Sequence, residues 1–185
     1  MMRSLIITIS ILCSISIQAQ EPLSSGQKLH KTYGDILVGV LPAMALGSTF
    51  IWQDGQNGTS QFSKTLASTI VATYVLKLVI KKERPNGENF NSFPSGHTSI
   101  AFTSAAFLQK RYGWKVGVPA YALASYVGYS RIKANKHDVW DVLAGAAVGT
   151  GLAYLFTKPY KPNDKLKVTL GSFDNYTTVG FTYRF

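Results

Sequence analysis

Cysteine is nearly missing from this 185-residue chain: the single one, Cys13, lies in the apolar run near the N-terminus. Leu12 precedes it, not the Gly or Ala that lipid-modified cysteines favour, so a chain processed beyond it has no disulfide framework and no thiol chemistry. Acidic residues are scarce too, nine against nineteen Lys and Arg, and charged residues make up only 15% of the chain, fewer than in ordinary soluble domains. No internal repeat and no low-complexity segment is evident, and the length suits one domain.

The chain has basic charge in excess, formally +10. The same Lys and Arg electrostatics would hold nucleic acid, an anionic lipid surface or a phosphorylated substrate. The charge sits in short clusters between apolar segments: Lys81 to Arg84, Lys110 to Lys115, Arg131 to Lys136 and Lys158 to Lys165. That is a pattern of loops rather than a continuous stripe, and it argues against nucleic acid. Membrane association fits the depleted charge, although the mean hydropathy of +0.07 is modest for a polytopic membrane protein.

Residues 1–19 read as an export signal, with Arg3, an apolar run from Leu5 to Ile17 and a small residue, Ala19, at the cleavage point; an uncleaved anchor is the alternative. After a polar stretch from Glu21 to Lys31, helix one is expected over Ile36 to Trp52, kinked at Pro42. Asp54 to Ser60 reads as a turn, and helix two runs from Phe62 to about Glu83, stopped by Arg84-Pro85. Helix three begins near Pro94 and Ser95, with Ser95 as N-cap, and runs to Gln109 with Gly113 closing it. Helix four covers Val116 to Tyr129. Helix five covers Val139 to Phe156, where Gly145, Gly149 and Gly151 would allow neighbouring helices to approach. From Lys165 the texture alternates with period two, predicting a β-hairpin with its turn at Asp174-Asn175. The fold class expected is therefore all-α, a bundle of about five core helices over residues 32–157, embedded in a membrane, with a short C-terminal hairpin over residues 165–185 packed against it. Lys110, Arg111 and Lys115 mark the turn after helix three as cytoplasmic, which puts the loops after helices two and four on the periplasmic side. A periplasmic helical domain without spanning helices is the soluble alternative.

Those loops hold the polar residues of interest. His137 and Asp141 are four apart, on one face if helix five begins near His137, so the carboxylate would hold one imidazole nitrogen and leave the other to attack. Alone, such a pair is more often a structural contact or helix cap. Lys77 and Arg84 are seven apart, two helical turns, and Arg131 adds a third cation, a set suited to the oxygens of a transferring phosphoryl group. Singly, each reads as a solvated or snorkelling side chain. Pro94-Ser95-Gly96-His97 at a helix start offers backbone N–H groups and a positive dipole end to an anion, and His97 has the pKa range of a general acid. His30 has no obvious companion.

Lys77-(six residues)-Arg84-Pro85, Pro94-Ser95-Gly96-His97 and Ser130-Arg131-(five residues)-His137-(three residues)-Asp141 together resemble the three-part signature of the type 2 phosphatidic acid phosphatases, members of the vanadium haloperoxidase-like superfamily. The resemblance covers roughly Ile36 to Phe156 and implies a helical bundle in which His137 is the nucleophile, Asp141 its orienting partner and His97 the acid for the leaving oxygen. It also implies that Lys77, Arg84, Ser95, Gly96 and Arg131 hold the phosphate and that neither metal nor cofactor is needed, in keeping with the lack of a carboxylate cluster for two divalent ions. The substrate class implied is a phosphorylated lipid at a periplasm-facing site: undecaprenyl pyrophosphate, phosphatidylglycerol phosphate, phosphatidic acid or a lipid A phosphate. A soluble broad-specificity periplasmic acid phosphatase, a vanadium haloperoxidase and a non-catalytic anion-binding membrane module are the alternatives.

Overall fold

The computed structural model describes residues 22–52, 56–161, 166–173 and 176–183. The N-terminal export signal, part of the Asp54 to Ser60 turn and the Asp174-Asn175 turn lie outside them. The helices are α1 (Ser25–Ile51), α2 (Gly58–Ile80), α3 (Gly96–Tyr112), α4 (Trp114–Lys133) and α5 (Val139–Phe156).

Several helix ends follow from capping chemistry. α1 begins eleven residues before the expected Ile36, because Ser24 and Gln27 form a reciprocal capping box that carries the helix through the polar stretch. α2 stops at Ile80 instead of near Glu83, where Lys81 turns into the left-handed region at φ 38° and sends Lys82 to Arg84 toward the next loop. Ser95 caps α3, its hydroxyl accepting from the Thr98 N–H, and Gly113 ends it at φ 87°. α4 runs four residues beyond Tyr129, so Ser130 and Arg131 lie on its last turn and not in a loop. α5 has the expected bounds, with Asp138 and Asp141 as its capping box.

α3 is the centre, touching each of the other four helices. Eleven of its seventeen residues are buried, and most are Ser, Thr or Ala. α5 meets it along a stripe of small residues, Gly145, Gly149 and Ala153, one turn apart. A Cβ at Gly145 would lie 2.7 Å from the Ser95 carbonyl oxygen, and one at Gly149 would lie 2.3 Å from that of Ser99. Gly151 does not share this role: a Cβ there would meet open space.

Large apolar side chains face outward. Val71, Val79, Leu143 and Leu155 are all more than half exposed, and α1, α2 and α5 are long and apolar enough to cross a membrane. A small-residue interior inside an apolar exterior is the arrangement of a membrane bundle, where helix contacts rest on close packing because lipid is as apolar as leucine. The protein is a membrane protein.

Two strands follow the bundle: β1 (Leu166–Phe173) pairs antiparallel with β2 (Tyr176–Tyr183), Leu166 opposite Tyr183 and Phe173 opposite Tyr176. Among the described residues they contact each other and none of the helices, so the expected packing against the helical domain is absent.

The α3–α5 contact makes a direct test. Gly149→Ala forces a methyl against backbone and should destabilise the protein by about 1–3 kcal/mol, the range for overpacking. Gly151→Ala should be neutral or slightly stabilising, so thermal unfolding in detergent should separate the two; equal midpoints would refute the close-packed interface.

Candidate active site

The functional side chains converge because the helices alternate in direction. The start of α3, the start of α5, the ends of α2 and α4 and the first half of α1 all lie at one end of the bundle. A cavity of about 420 Å³ opens there, lined by Lys31, Asp35, Arg84, Glu88, His97, Arg131, Lys136 and His137.

Asp141 lies behind this cavity, fully buried. Its Oδ1 takes a hydrogen bond from Lys82 Nζ at 2.8 Å, and its Oδ2 accepts from Ser92 Oγ at 2.5 Å and from the Asp138 N–H at 3.1 Å. Its carbonyl accepts from the Ser95 N–H at 2.9 Å, which joins the cap of α3 to the first turn of α5. His137 precedes α5 rather than starting it, yet its Nδ1 still faces Asp141 Oδ2, at 3.5 Å. That is beyond a good hydrogen bond, and Nδ1 is buried without a hydrogen-bond partner. Burial, with the Lys77 and Arg84 charges, lowers the His137 pKa to about 4, partly offset by Asp141. The ring is therefore neutral, as a nitrogen nucleophile must be, at any ordinary pH.

His97 faces Asp35 of α1, Nε2 to Oδ1 at 3.1 Å. Burial and then Arg131 lower its pKa from the ordinary 6.5, while Asp35 opposes them by favouring the imidazolium. Arg131 is almost fully buried and held by three acceptors: Asp35 Oδ1 at 2.6 Å, the Lys31 carbonyl at 2.8 Å and Ser130 Oγ at 3.0 Å. Gly34 makes room for it, since a Cβ there would lie 2.4 Å from its guanidinium.

Arg84 donates through Nη1 to Glu88 at 2.8 Å, and its Nε is buried without a partner. Lys77 does not line the cavity; its ammonium donates to the carbonyls of Asn91 at 2.6 Å and Pro94 at 2.7 Å, clamping the loop before α3. Ser95 is buried, its Oγ accepting from Thr98 Oγ1 at 2.9 Å. A Cβ at Gly96 would make only ordinary contacts with Thr73 and Lys77, so the protein side does not demand glycine there. Its N–H opens the helix and has no helical carbonyl to donate to.

Asp35, Lys82, Glu88 and Lys136 belong to this end of the bundle beyond the residues that the sequence pattern points to. Asp35 borders an apolar run, where a lone carboxylate is itself a signal. Lys82 and Lys136 stand in the sequence only as members of basic clusters. His30 does have a companion: its Nδ1 lies 2.9 Å from the Tyr126 hydroxyl, on the flank of α1.

A family model described as the PAP2 superfamily matches residues 52–164, which spans the cavity loops and α2 to α5. The chain belongs to the PAP2 superfamily. It is a phosphatase of the PAP2 type. The chain is 30% identical to a lipid A 4'-phosphatase of Helicobacter pylori over 165 residues, 83% of this chain and 82% of that protein. Its fold is similar to LpxE of Aquifex aeolicus, with a TM-score of 0.61 and 22% identity over 73% of this chain and 87% of that one. It is also similar to a transmembrane PAP2 type phosphatidylglycerolphosphate phosphatase of Bacillus subtilis, with a TM-score of 0.59 and 24% identity over 74% and 77% of the two chains.

Histidine NMR in detergent micelles tests the electrostatics of this PAP2 site directly. His137 should titrate near about pH 4 and His97 below 6.5. Asp35→Asn removes the charge that favours the His97 imidazolium and leaves Arg131 uncompensated, so the His97 pKa should fall further while His137 stays in place. A His137 that titrates at its ordinary value would overturn the desolvated, cation-flanked site.

Proposed function

We propose that the protein is a metal-independent lipid phosphate phosphatase that works through a phosphohistidine on His137, with its catalytic end facing the periplasm of a bacterial cell. The observation that carries this reading is the convergence of His137, His97, Arg84 and Arg131 on one cavity at one end of an apolar-sided bundle. A substrate with a phosphate head and acyl chains would place its head in the cavity and its chains along the exposed apolar faces. Lipid A phosphate is the first candidate among such substrates, because the relative that matches most of the chain is named for that activity.

The geometry supports the following chemistry. Nδ1 of His137 faces Asp141, so Nε2 attacks phosphorus; the ester P–O bond breaks, and His97 delivers its proton to the departing lipid oxygen. Asp141 stabilises the positive character that the ring acquires. Water then attacks the phosphohistidine, giving its proton to His97 and releasing orthophosphate and neutral His137. In this reading Arg84, Arg131 and the N–H groups opening α3 meet the charge on the equatorial oxygens. Lys77 serves the same end indirectly, by fixing the carbonyls of the Pro94 loop.

Metal independence is supported by the donor set. Four cations line the cavity against two carboxylates, and each of those carboxylates is already paired with a cation. The periplasmic orientation is supported by Lys110 and Lys115 at the opposite end of the bundle. Arg111, the third residue of that basic set, is buried and tucked against Tyr112 and Tyr160, so it is not a loop charge.

The test is phosphate release with chelator present, from lipid A, phosphatidylglycerol phosphate, undecaprenyl pyrophosphate and a soluble aryl phosphate. His137→Ala should lower kcat/KM by roughly 10³-fold or more, and Asp141→Asn by roughly 10²-fold. Radiolabelled lipid phosphate should leave an acid-labile phosphoenzyme on wild type and none on His137→Ala. Full activity in the His137 variant, or activity abolished by the chelator and restored by a divalent ion, would sink the mechanism. A preference for the aryl phosphate would remove the lipid assignment.

A further inference from the structure

The proposed mechanism has no use for Glu88 or Lys136, yet both line the catalytic cavity. Glu88 lies on the loop between α2 and α3, four residues after Arg84. Its Oε2 accepts from Arg84 Nη1 at 2.8 Å and pairs with the Lys136 ammonium, a partner 48 residues away and next in the chain to His137. The paired cations hold the Glu88 carboxyl down at about pH 2, first through Lys136, so it is an anion at any working pH.

A carboxylate bridging a guanidinium and an ammonium uses the same donors in the same way as two phosphate oxygens would. Three features separate this carboxylate from an ordinary structural anchor. It is 39% exposed, so it can leave without exposing a core. It belongs to a loop instead of a helix. Arg84, which it engages through Nη1, still keeps a buried Nε with no partner, so the donor set is larger than the carboxylate that occupies it. Asp141 shows the contrast, being wholly buried and satisfied on both oxygens.

We propose that Arg84 and Lys136 form a single phosphate subsite and that Glu88 is its resident placeholder, displaced when the phosphate of the substrate arrives. Lys136 thereby becomes a phosphate-binding residue of the reaction, and Glu88 sets how tightly the phosphate is held. The inference rests on the phosphatase reading for its substrate but not for its test, because orthophosphate binding is measurable without turnover.

The experiment compares wild type, Glu88→Gln, Glu88→Ala, Lys136→Gln and Lys136→Arg by competitive inhibition with orthophosphate and by orthophosphate-induced thermal stabilisation in detergent. Removing the competing charge should lower the phosphate Ki and the substrate KM of both Glu88 variants about 2–5-fold, the scale of a part-exposed ion pair, with kcat little changed. Lys136→Gln should raise Ki and KM about 5–10-fold, the scale of one charge-assisted contact, and Lys136→Arg should recover most of the loss. A purely structural Glu88 would give the opposite sign: weaker phosphate binding in both Glu88 variants. That result, or a Lys136→Gln Ki equal to wild type, overturns the proposal. If no variant nor wild type hydrolyses any lipid but orthophosphate stabilisation follows the order above, the catalytic reading fails and the subsite stands.

Discussion

A single buried carboxylate organises this end of the molecule. Asp141 is out of contact with solvent, and an ion so placed costs several kcal/mol unless it is neutralised and hydrogen-bonded. Its satisfaction draws in Lys82 from just beyond α2, Ser92 from the loop before α3 and the Asp138 N–H at the start of α5. Its own carbonyl takes the Ser95 N–H. The connection from α2 to α3 and the start of α5 are thus held in one register by one residue. The nucleophile candidate, His137, sits four residues before it, and the start of α3 hangs from its backbone. Once Asp141 is satisfied, most of the site is placed.

The bundle supplies what that arrangement needs, which is backbones close enough for short side chains to bridge. Gly145 and Gly149 let α5 lie against the carbonyls of Ser95 and Ser99, and Gly34 lets α1 lie against Arg131. The hydroxyls this brings inside are spent on local bonds: Thr69, Ser99 and Thr103 each donate to, or share with, a carbonyl four residues back, and Thr69 and Thr103 lie 2.9 Å apart between α2 and α3. A polar, small-residue interior with its bulk outside also explains the modest hydropathy. The apolar residues are concentrated on the surface, where a membrane needs them, and the centre holds the Ser and Thr that dilute the average.

Much of the architecture is legible in the residues themselves, and its gaps have identifiable causes. The N-cap of α3, its closing glycine and the bounds of α5 follow from local chemistry that tertiary structure does not override. The first half of α1 is hidden by its polarity; only the Ser24 and Gln27 capping box announces it, and that signal is short. The spacing of His137, Asp141, Lys77, Arg84 and Arg131 brings them to one end of the bundle, while their roles are a matter of contact. Lys77 is a loop clamp in this geometry, and Arg131 is anchored by an aspartate 96 residues away. No pattern in sequence could pair Asp35 with His97 and Arg131, or Lys82 with Asp141, since each pair is made by helix packing and not by spacing. The same limit hid Glu88 and Lys136, which look like ordinary loop charges until the cavity brings them together.

The cavity has its own anions beside its cations. Lys31, Arg84, Arg131 and Lys136 around about 420 Å³ would repel one another strongly in a partly desolvated space if left alone. Asp35 and Glu88 relieve that repulsion in two different ways. Asp35 is on a helix and shares its charge between Arg131, His97 and Lys31. Glu88 is on a loop and pairs with two cations, Lys136 beside His137 and Arg84 four residues beyond α2. On the proposed placeholder role of Glu88, the first carboxylate is a fixed part of the cavity's field and the second a removable one. Stability of the empty protein and affinity for its ligand are therefore set against each other at one carboxylate, because any charge that quiets the empty site must be moved before the phosphate can take its donors.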